Sequence, residues 1–351
     1  MSVAVFAKEK VNVSITGVRK DVTTNIRAHL NLERLACTTS EWHMRNILSG
    51  ADEEISDALR ALGYYQATWQ VNHQLIANED RNCWNITIDV TPGNGTKINE
   101  LSLELTGEGK NNPQLMQTLA NTPLKVGDRI HHGKYEATKK MLRQAALSQG
   151  FFNYQFTENR LQVDRLANTA AINLTFDSGE RFEFGQITID DTPLDTQFIH
   201  RYVEFASGDP FDAGKLIKLQ NSLINSRYFE QVNVVQSEPD PVSGAVDIDI
   251  QLSVKSRYES TFGVGYSTDL GPRVNYQLRN RRFNEDGDTY QISTLFSPVK
   301  SQIGFQYQQP GTDPINEKTL WSVGWQREDN DTYTSDAYNA EVSRIKVFDN
   351  G

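Results

Sequence analysis

Six histidines, two cysteines and two glycine- and lysine-bearing loops are where chemistry could reside in this 351-residue chain. His131 and His132 are adjacent, whereas His43, His73 and His200 stand far apart, so no set has the spacing of metal ligands. Beside an expected helix start, the adjacent pair reads as solvated rather than catalytic. No serine or cysteine lies in a nucleophile turn. Cys37 and Cys83 lack the close pairs of a zinc site. In an oxidising compartment they could form one disulfide, and two buried free thiols fit the sequence equally. Gly127-Asp128 with Gly133-Lys134, and Gly208-Asp209 with Gly214-Lys215, resemble a phosphate loop at first sight. That loop needs four residues between its glycines and a Ser or Thr after the lysine. Here five intervene and Tyr135 or Leu216 follows, so each match is read as the turn that opens a second helix. Catalytic residues, metal ligands and cofactors are therefore not expected, and the chain is not read as an enzyme.

Composition narrows the remaining classes. A net charge of -10 argues against a nucleic-acid partner, which would select a basic patch. The one dense basic run, Arg279-Asn280-Arg281-Arg282, reads as a solvated turn. Hydrophobic residues at 38% and charged residues at 23% fit a folded chain. No stretch approaches the roughly 18 apolar residues of a spanning helix, but spanning by strands stays open. Ser2 to Ala7 is too short for a signal-peptide core and could be the tail of one.

The elements that must position any site repeat. A helix end, then Gly or Arg, then paired aromatics and a strand, recurs about every 80 residues: Gly63-Tyr64-Tyr65, Gly150-Phe151-Phe152 and Arg227-Tyr228-Phe229. That spacing describes tandem small domains, since solenoid repeats run shorter. Two strand-like runs follow each copy: 66–76 and 85–91, 153–163 and 170–177, 231–236 and 245–252. A strand and two helices precede it. Ile55, Leu59 and Leu62, and Leu216, Leu219 and Leu223, fall at helical spacing. Asn112-Pro113 and Thr192-Pro193 each place a capping side chain before a proline at the first helical position. The unit reads as β-α-α-β-β. Gly63 and Gly150 supply the left-handed residue that ends a helix, and Arg227 must do so under strain or by another turn. A ring of each aromatic pair would plug the gap between helix and sheet.

From about residue 257 alternation replaces helical periodicity. Phe262, Val264 and Tyr266, then Tyr290, Ile292, Thr294 and Phe296, then Trp321, Val323 and Trp325, alternate with small or polar residues. About six strands are expected, with turns at Asp269-Leu270-Gly271-Pro272 and Asp286-Gly287 and a hairpin signal at Asp349-Asn350-Gly351. Six strands cannot close a barrel that begins at about eight. The alternation also fits a soluble β-sandwich, and the aromatic enrichment favours membrane strands.

With three such repeats leading into barrel-like strands, the chain resembles the POTRA-plus-barrel superfamily of outer-membrane assembly proteins, and within it the TamA type, the outer-membrane subunit of a translocation and assembly module. The stretches that carry the resemblance are Ala61-Leu62-Gly63-Tyr64-Tyr65, then Ser178-Gly179-Glu180-Arg181-Phe182 with Phe184-Gly185, and above all 263–269 through Gly271-Pro272-Arg273. Three repeats fit TamA, because BamA-like members carry five and two-partner secretion transporters two. The implied architecture is α+β tandem POTRA domains at 10–93, 95–178 and 180–255, followed at 257–351 by the first antiparallel strands of an incomplete transmembrane β-barrel. The resemblance implies an outer-membrane location with the repeats in the periplasm. It implies a role in inserting or secreting outer-membrane and autotransporter proteins. The implied partners are a TamB-like inner-membrane-anchored periplasmic protein, unfolded outer-membrane protein clients and outer-membrane lipid. In the family a sixteen-strand barrel has a weak seam between its first and last strands, and an Arg-Gly loop enters the barrel from later sequence. Here only the first-strand side of that seam is present, Phe262, Gly263, Val264, Gly265 and Tyr266. The two glycines either ease opening of this strand or allow curvature and close packing. A secretion pore, a BamA-like assembly pore and a periplasmic scaffold that never meets lipid are the alternatives.

Overall fold

A computed structural model describes residues 10–78, 81–330 and 332–348. It divides into two compact units, one running to Leu147 and including Asn153–Glu180, the other made of Ser148–Phe152 with the chain from Arg181 onward. Ser2 to Ala7 and Asp349-Asn350-Gly351 lie outside the described residues.

The first unit holds two copies of one plan. In the first, β1 (Asn12–Thr16) is followed by α1 (Lys20–His29), α2 (Glu41–Ala61), β2 (Thr68–Asn78) and β3 (Arg81–Thr91). The sheet order is β1-β3-β2, with β1 parallel and β2 antiparallel to the central β3. The second copy runs β4 (Lys97–Thr106), α3 (Pro113–Ala120), α4 (His132–Ser148), β5 (Gln155–Asp164) and β6 (Thr169–Asp177), in the order β4-β6-β5. Helical spacing explains the packing: Met44, Ala51, Ile55, Ala58 and Leu59 of α2 are buried in one cluster with Ile86, Ile88 and Val90 of β3. Strict alternation of burial along β6 makes its inward face Ala170, Ile172, Leu174 and Phe176. Each such Ile, Leu or Phe contributes about 1.5–3 kcal/mol by leaving water.

In the second unit the plan occurs a third time as β7 (Glu183–Ile189), α5 (Thr196–His200), α6 (Ala213–Asn225), β8 (Phe229–Gln236) and β9 (Ala245–Val254), with sheet order β7-β9-β8. Six antiparallel strands follow in sequential order: β10 (Tyr258–Ser267), β11 (Gly271–Asn280), β12 (Thr289–Phe296), β13 (Lys300–Pro310), β14 (Glu317–Asp329) and β15 (Thr334–Lys346). The α+β repeats and the open antiparallel sheet are the fold class expected from the sequence.

Helix ends follow the residue logic with one correction. Asn112 caps α3, its side chain accepting from the Gln114 and Leu115 N–H groups. Thr192-Pro193 starts no helix: α5 begins three residues later, capped by Asp195, whose carboxylate accepts from Gln197 N–H. Thr192 instead bonds locally to Leu194, the hydroxyl competing with the backbone for a turn. Gly63, Gly150 and Arg227 all adopt the left-handed conformation, with φ of 84°, 83° and 69°. Gly271 and Pro272, expected in a turn, already belong to β11 and pair with Ser267 and Tyr266. A proline is tolerated so close to a strand's start.

One device was not visible in the sequence. In every repeat the segment between the two helices folds back on the start of the first strand, through bridges Lys10–Ala36, Lys97–Arg129 and Glu183–Pro210. Matching bonds run from Val11 N–H to Leu35 O, Ile98 N–H to Asp128 O and Phe184 N–H to Asp209 O, at 3.0, 2.9 and 2.8 Å. The two glycine-lysine loops are this segment, with Gly127 and Gly208 at φ of 90° and 89°. One sheet edge is thereby partly covered in each repeat, while β2, β5 and β8 form the other edge.

Candidate functional site

Strand β10 pairs with β11 on one side and forms the edge of its sheet among the described residues. An unpaired edge offers a row of backbone donors and acceptors to an incoming strand. Phe262, Val264 and Tyr266 are 68%, 73% and 75% exposed on it. Gly263 and Gly265 point to the opposite face, opposite Asn275 and Arg273. A side chain at 263 would meet the end of the exposed Asn275 carboxamide, which would have to rotate away. At 265 the added atom would lie 3.3 Å from the flexible Arg273 side chain, a contact that can relax.

Cross-strand register sorts the six strands into two chemically distinct faces, because directly opposed residues share a face. One row reads Tyr258, Asn280, Tyr290, Tyr307, Trp321 and Val342; the next Ser260, Leu278, Ile292, Phe305, Val323 and Ala340; the next Phe262, Tyr276, Thr294, Ile303, Trp325 and Tyr338. The other face carries Glu259, Arg279, Gln291, Gln306, Ser322 and Glu341 in one row and Thr261, Gln277, Ser293, Gly304, Gly324 and Asn339 in another. Many of the apolar-face side chains are open to solvent, Tyr338 at 80%. Four of the six residues in the row nearest the third repeat are aromatic, and the middle row is mostly aliphatic, an order that fits a lipid-facing band with an interfacial girdle. Strand lengths of 8 to 13 residues bracket the nine to eleven that a tilted membrane strand needs.

The third repeat and this sheet share one compact unit, joined at two turns. Gly287, φ 81°, lies against the Phe198 ring with no room for a side chain, and its carbonyl accepts from the Tyr228 hydroxyl at 2.5 Å. Burial pushes that hydroxyl well above the usual tyrosine range, so it stays a protonated donor. Asp195 N–H donates to Glu285 O, and Arg201 donates to Gly311 O at 3.0 Å. Ile315, in the other turn, packs against the third repeat's core.

The aromatic pairs do more than plug their own helix ends. Phe151 is buried, and Phe152 packs edge-on to Phe182 and Phe211 in the second unit. Tyr228 and Phe229 are both buried. Tyr64 and Tyr65 are only half-buried and reach from the first repeat to the second: Arg129 donates to the Tyr64 hydroxyl, and Tyr65 meets His132 Nε2 at 2.7 Å. His131 and His132 are accordingly half-buried at a joint, contrary to the solvated placement expected, and burial is the main cause holding both below the usual histidine range. Of the other motif residues, Gly179 takes φ 68° against the Asn153 carbonyl. Arg181 donates to the Gln149 and Phe211 carbonyls over the Phe151 ring. Cys37, before α2, and Cys83, on β3, are joined by a disulfide. No cluster suited to a metal ion occurs among the described residues.

Against known proteins, residues 12–92 match the family model described as POTRA domain, TamA domain 1. The chain is similar to the outer membrane protein assembly factor BamA of Buchnera aphidicola subsp. Acyrthosiphon pisum, 21% identical over 312 residues that cover 86% of this chain and 49% of that one. It is also similar to the BamA of Nitratidesulfovibrio vulgaris, 25% identical over 240 residues covering 64% and 28%. It thus spans about half the length, or less, of these curated relatives. Among solved structures, BamA from Haemophilus ducreyi lacking POTRA domains 1–3 superposes with a TM-score of 0.58 at 15% identity, over 71% of this chain and 47% of that chain. That likeness establishes the fold, POTRA-type repeat followed by barrel strands.

Proposed function

We propose that the chain is the periplasmic arm and opening barrel strands of a TamA-type subunit in the POTRA-plus-barrel superfamily, which helps insert or secrete outer-membrane proteins by strand-edge docking; the TamA-type match of the first repeat, the similarity to BamA and the shared fold support this reading. Residues 10–93, 95–178 and 180–255 are its POTRA domains, in the periplasm, and 257–351 begin its outer-membrane barrel. The observation that carries this reading is a six-stranded antiparallel sheet, following a third β-α-α-β-β repeat, with one exposed apolar face and one polar face. Its first strand, β10, is the proposed docking strand, because a strand edge reads backbone groups and so accepts clients of different sequence. The clients are unfolded outer-membrane proteins, as the name of the curated relatives suggests for those relatives. The reading assigns no catalytic chemistry and no cofactor.

Match of the first repeat to the TamA model supports the TamA type and, with it, a TamB-like partner. A BamA-like assembly role is the second reading, favoured by both curated relatives. Deleting residues 12–92 and testing co-purification separates the two. Loss of a TamB-like protein supports the first, and a BamA-type complex that survives intact supports the second.

Photo-crosslinking tests the edge itself. A crosslinker at Phe262, Val264 or Tyr266 is expected to capture an unfolded outer-membrane client, and one at Ile292 or Phe305, inside the sheet, is not. Equal capture at all five positions would remove strand-edge docking.

A further inference from the structure

Arg227 occupies the position where the other two repeats have Gly63 and Gly150, and it keeps their left-handed backbone at φ 69°. That conformation disfavours any side chain other than glycine's hydrogen. A non-glycine residue held there points to a use for its side chain. Together with Arg279 and Arg281, Arg227 lines a cavity of about 140 Å³ in the second unit. The remaining walls are uncharged, among them Gln291, Gln306 and Gln308.

Charge at this cavity is not balanced. Glu259 pairs with both Arg279 and Arg281, at 3.8 and 2.9 Å, and Arg279 also donates to Gln291 Oε1 at 2.7 Å. The Arg227 guanidinium makes no ion pair among the described residues. Three guanidiniums thus face one carboxylate. Each guanidinium has five donors in a planar fork that matches a carboxylate's two oxygens. The volume admits a carboxylate-bearing side chain or chain end with its waters. Arg279, Gln291 and Gln306 lie in one row of the polar face, so a polypeptide lying along that face passes the cavity.

We infer that Arg227, Arg279 and Arg281 form a binding site for a carboxylate, on a side chain or at the chain end, of a polypeptide segment lying on the polar face of the sheet. The inference does not rest on the assembly role, because binding is measured on the isolated chain. The probes are two peptides carrying an uncharged boron-dipyrromethene dye and presented to the full chain in detergent: one of alternating Glu and Ser with an amidated end, the other of alternating Gln and Ser with a free end. Anisotropy is expected to report binding of the first if the site takes side-chain carboxylates, and of the second if it takes a chain end. Arg227→Gly is expected to weaken that binding at least about 10-fold, the loss of a charge-assisted bond. Its thermal midpoint should hold or rise, since glycine suits the backbone there. Arg279→Gln should weaken binding similarly. The inference is overturned if neither peptide binds, if Arg227→Gly binds like the parent, or if inorganic phosphate competes as well as free glutamate does.

Discussion

Tyr65 and His132 meet across the joint of the first two repeats, and their chemistry makes that joint sensitive to acid. Burial lowers the affinity of His131 and His132 for a proton, helped by Lys134 and Arg129 for His131 and by His131 for His132. The unfolded chain, with ordinary histidines near 6.5, then binds more protons than the folded one as pH falls. The stabilising contribution is full above about pH 6.5 and is lost as pH drops toward the lowered folded values. Protection factors of residues 130–135 in the full chain, which are amide exchange rates divided into the intrinsic rate at each pH, should therefore fall between pH 7.5 and 5.5. His132→Asn should flatten that fall, and an equal fall in the variant would sink the histidine explanation. The cysteine pair gives a second expectation, since the two alternatives left open by the sequence differ in reactivity. Alkylation without reductant should label neither Cys37 nor Cys83. Replacing both with serine should cost up to about 4 kcal/mol for a loop closed over 46 residues. What the sequence could not reveal at this scale was context: two adjacent histidines look solvated until the tyrosine of another repeat is placed beside one of them.

At the scale of elements, the repeat was legible because each of its parts has a local cause. Glycine or its strained substitute ends a helix, alternation marks the central strand, and a proline after Asn112 marks a start. The same proline signal misled at Thr192-Pro193, where the cap three residues on, Asp195, prevails. Substitution separates them: Asn112→Ala and Asp195→Ala should each cost about 1 kcal/mol in denaturant unfolding. Thr192→Ala should cost a few tenths, and equal losses for Thr192 and Asp195 would contradict the observed start of α5. The return of the inter-helix segment onto the first strand had no signal, because it depends on backbone pairing between residues about 30 apart in the second and third repeats. Its consequence is functional. With β1, β4 and β7 partly covered, the accessible edges of the three repeats are β2, β5 and β8.

At the scale of the whole molecule, the amphipathic sheet decides the account. Alternation over Phe262 to Tyr266 and over Trp321 to Trp325 was readable, but it fitted a soluble sandwich as well. Cross-strand register adds what alternation lacks, because it gathers aromatic and aliphatic residues of the strands into rows on one face, and much of that face is exposed. Docking of the third repeat onto the turns at Gly287 and Ile315 could not be read from Asp286-Gly287 alone, which signals a turn and not its partner.

The most direct test uses the chain's own tryptophans. Trp321 and Trp325 lie on the apolar face, whereas Trp42, Trp69 and Trp84 belong to the first repeat. The full chain is reconstituted into vesicles with acyl chains brominated or not, and its fluorescence compared. Bromine should quench a large part of the emission, and a variant carrying Trp321→Phe and Trp325→Phe should lose that bromine-sensitive part. A folded chain with the same emission in both lipids would show that the face never meets acyl chains, and the membrane-strand account would fall.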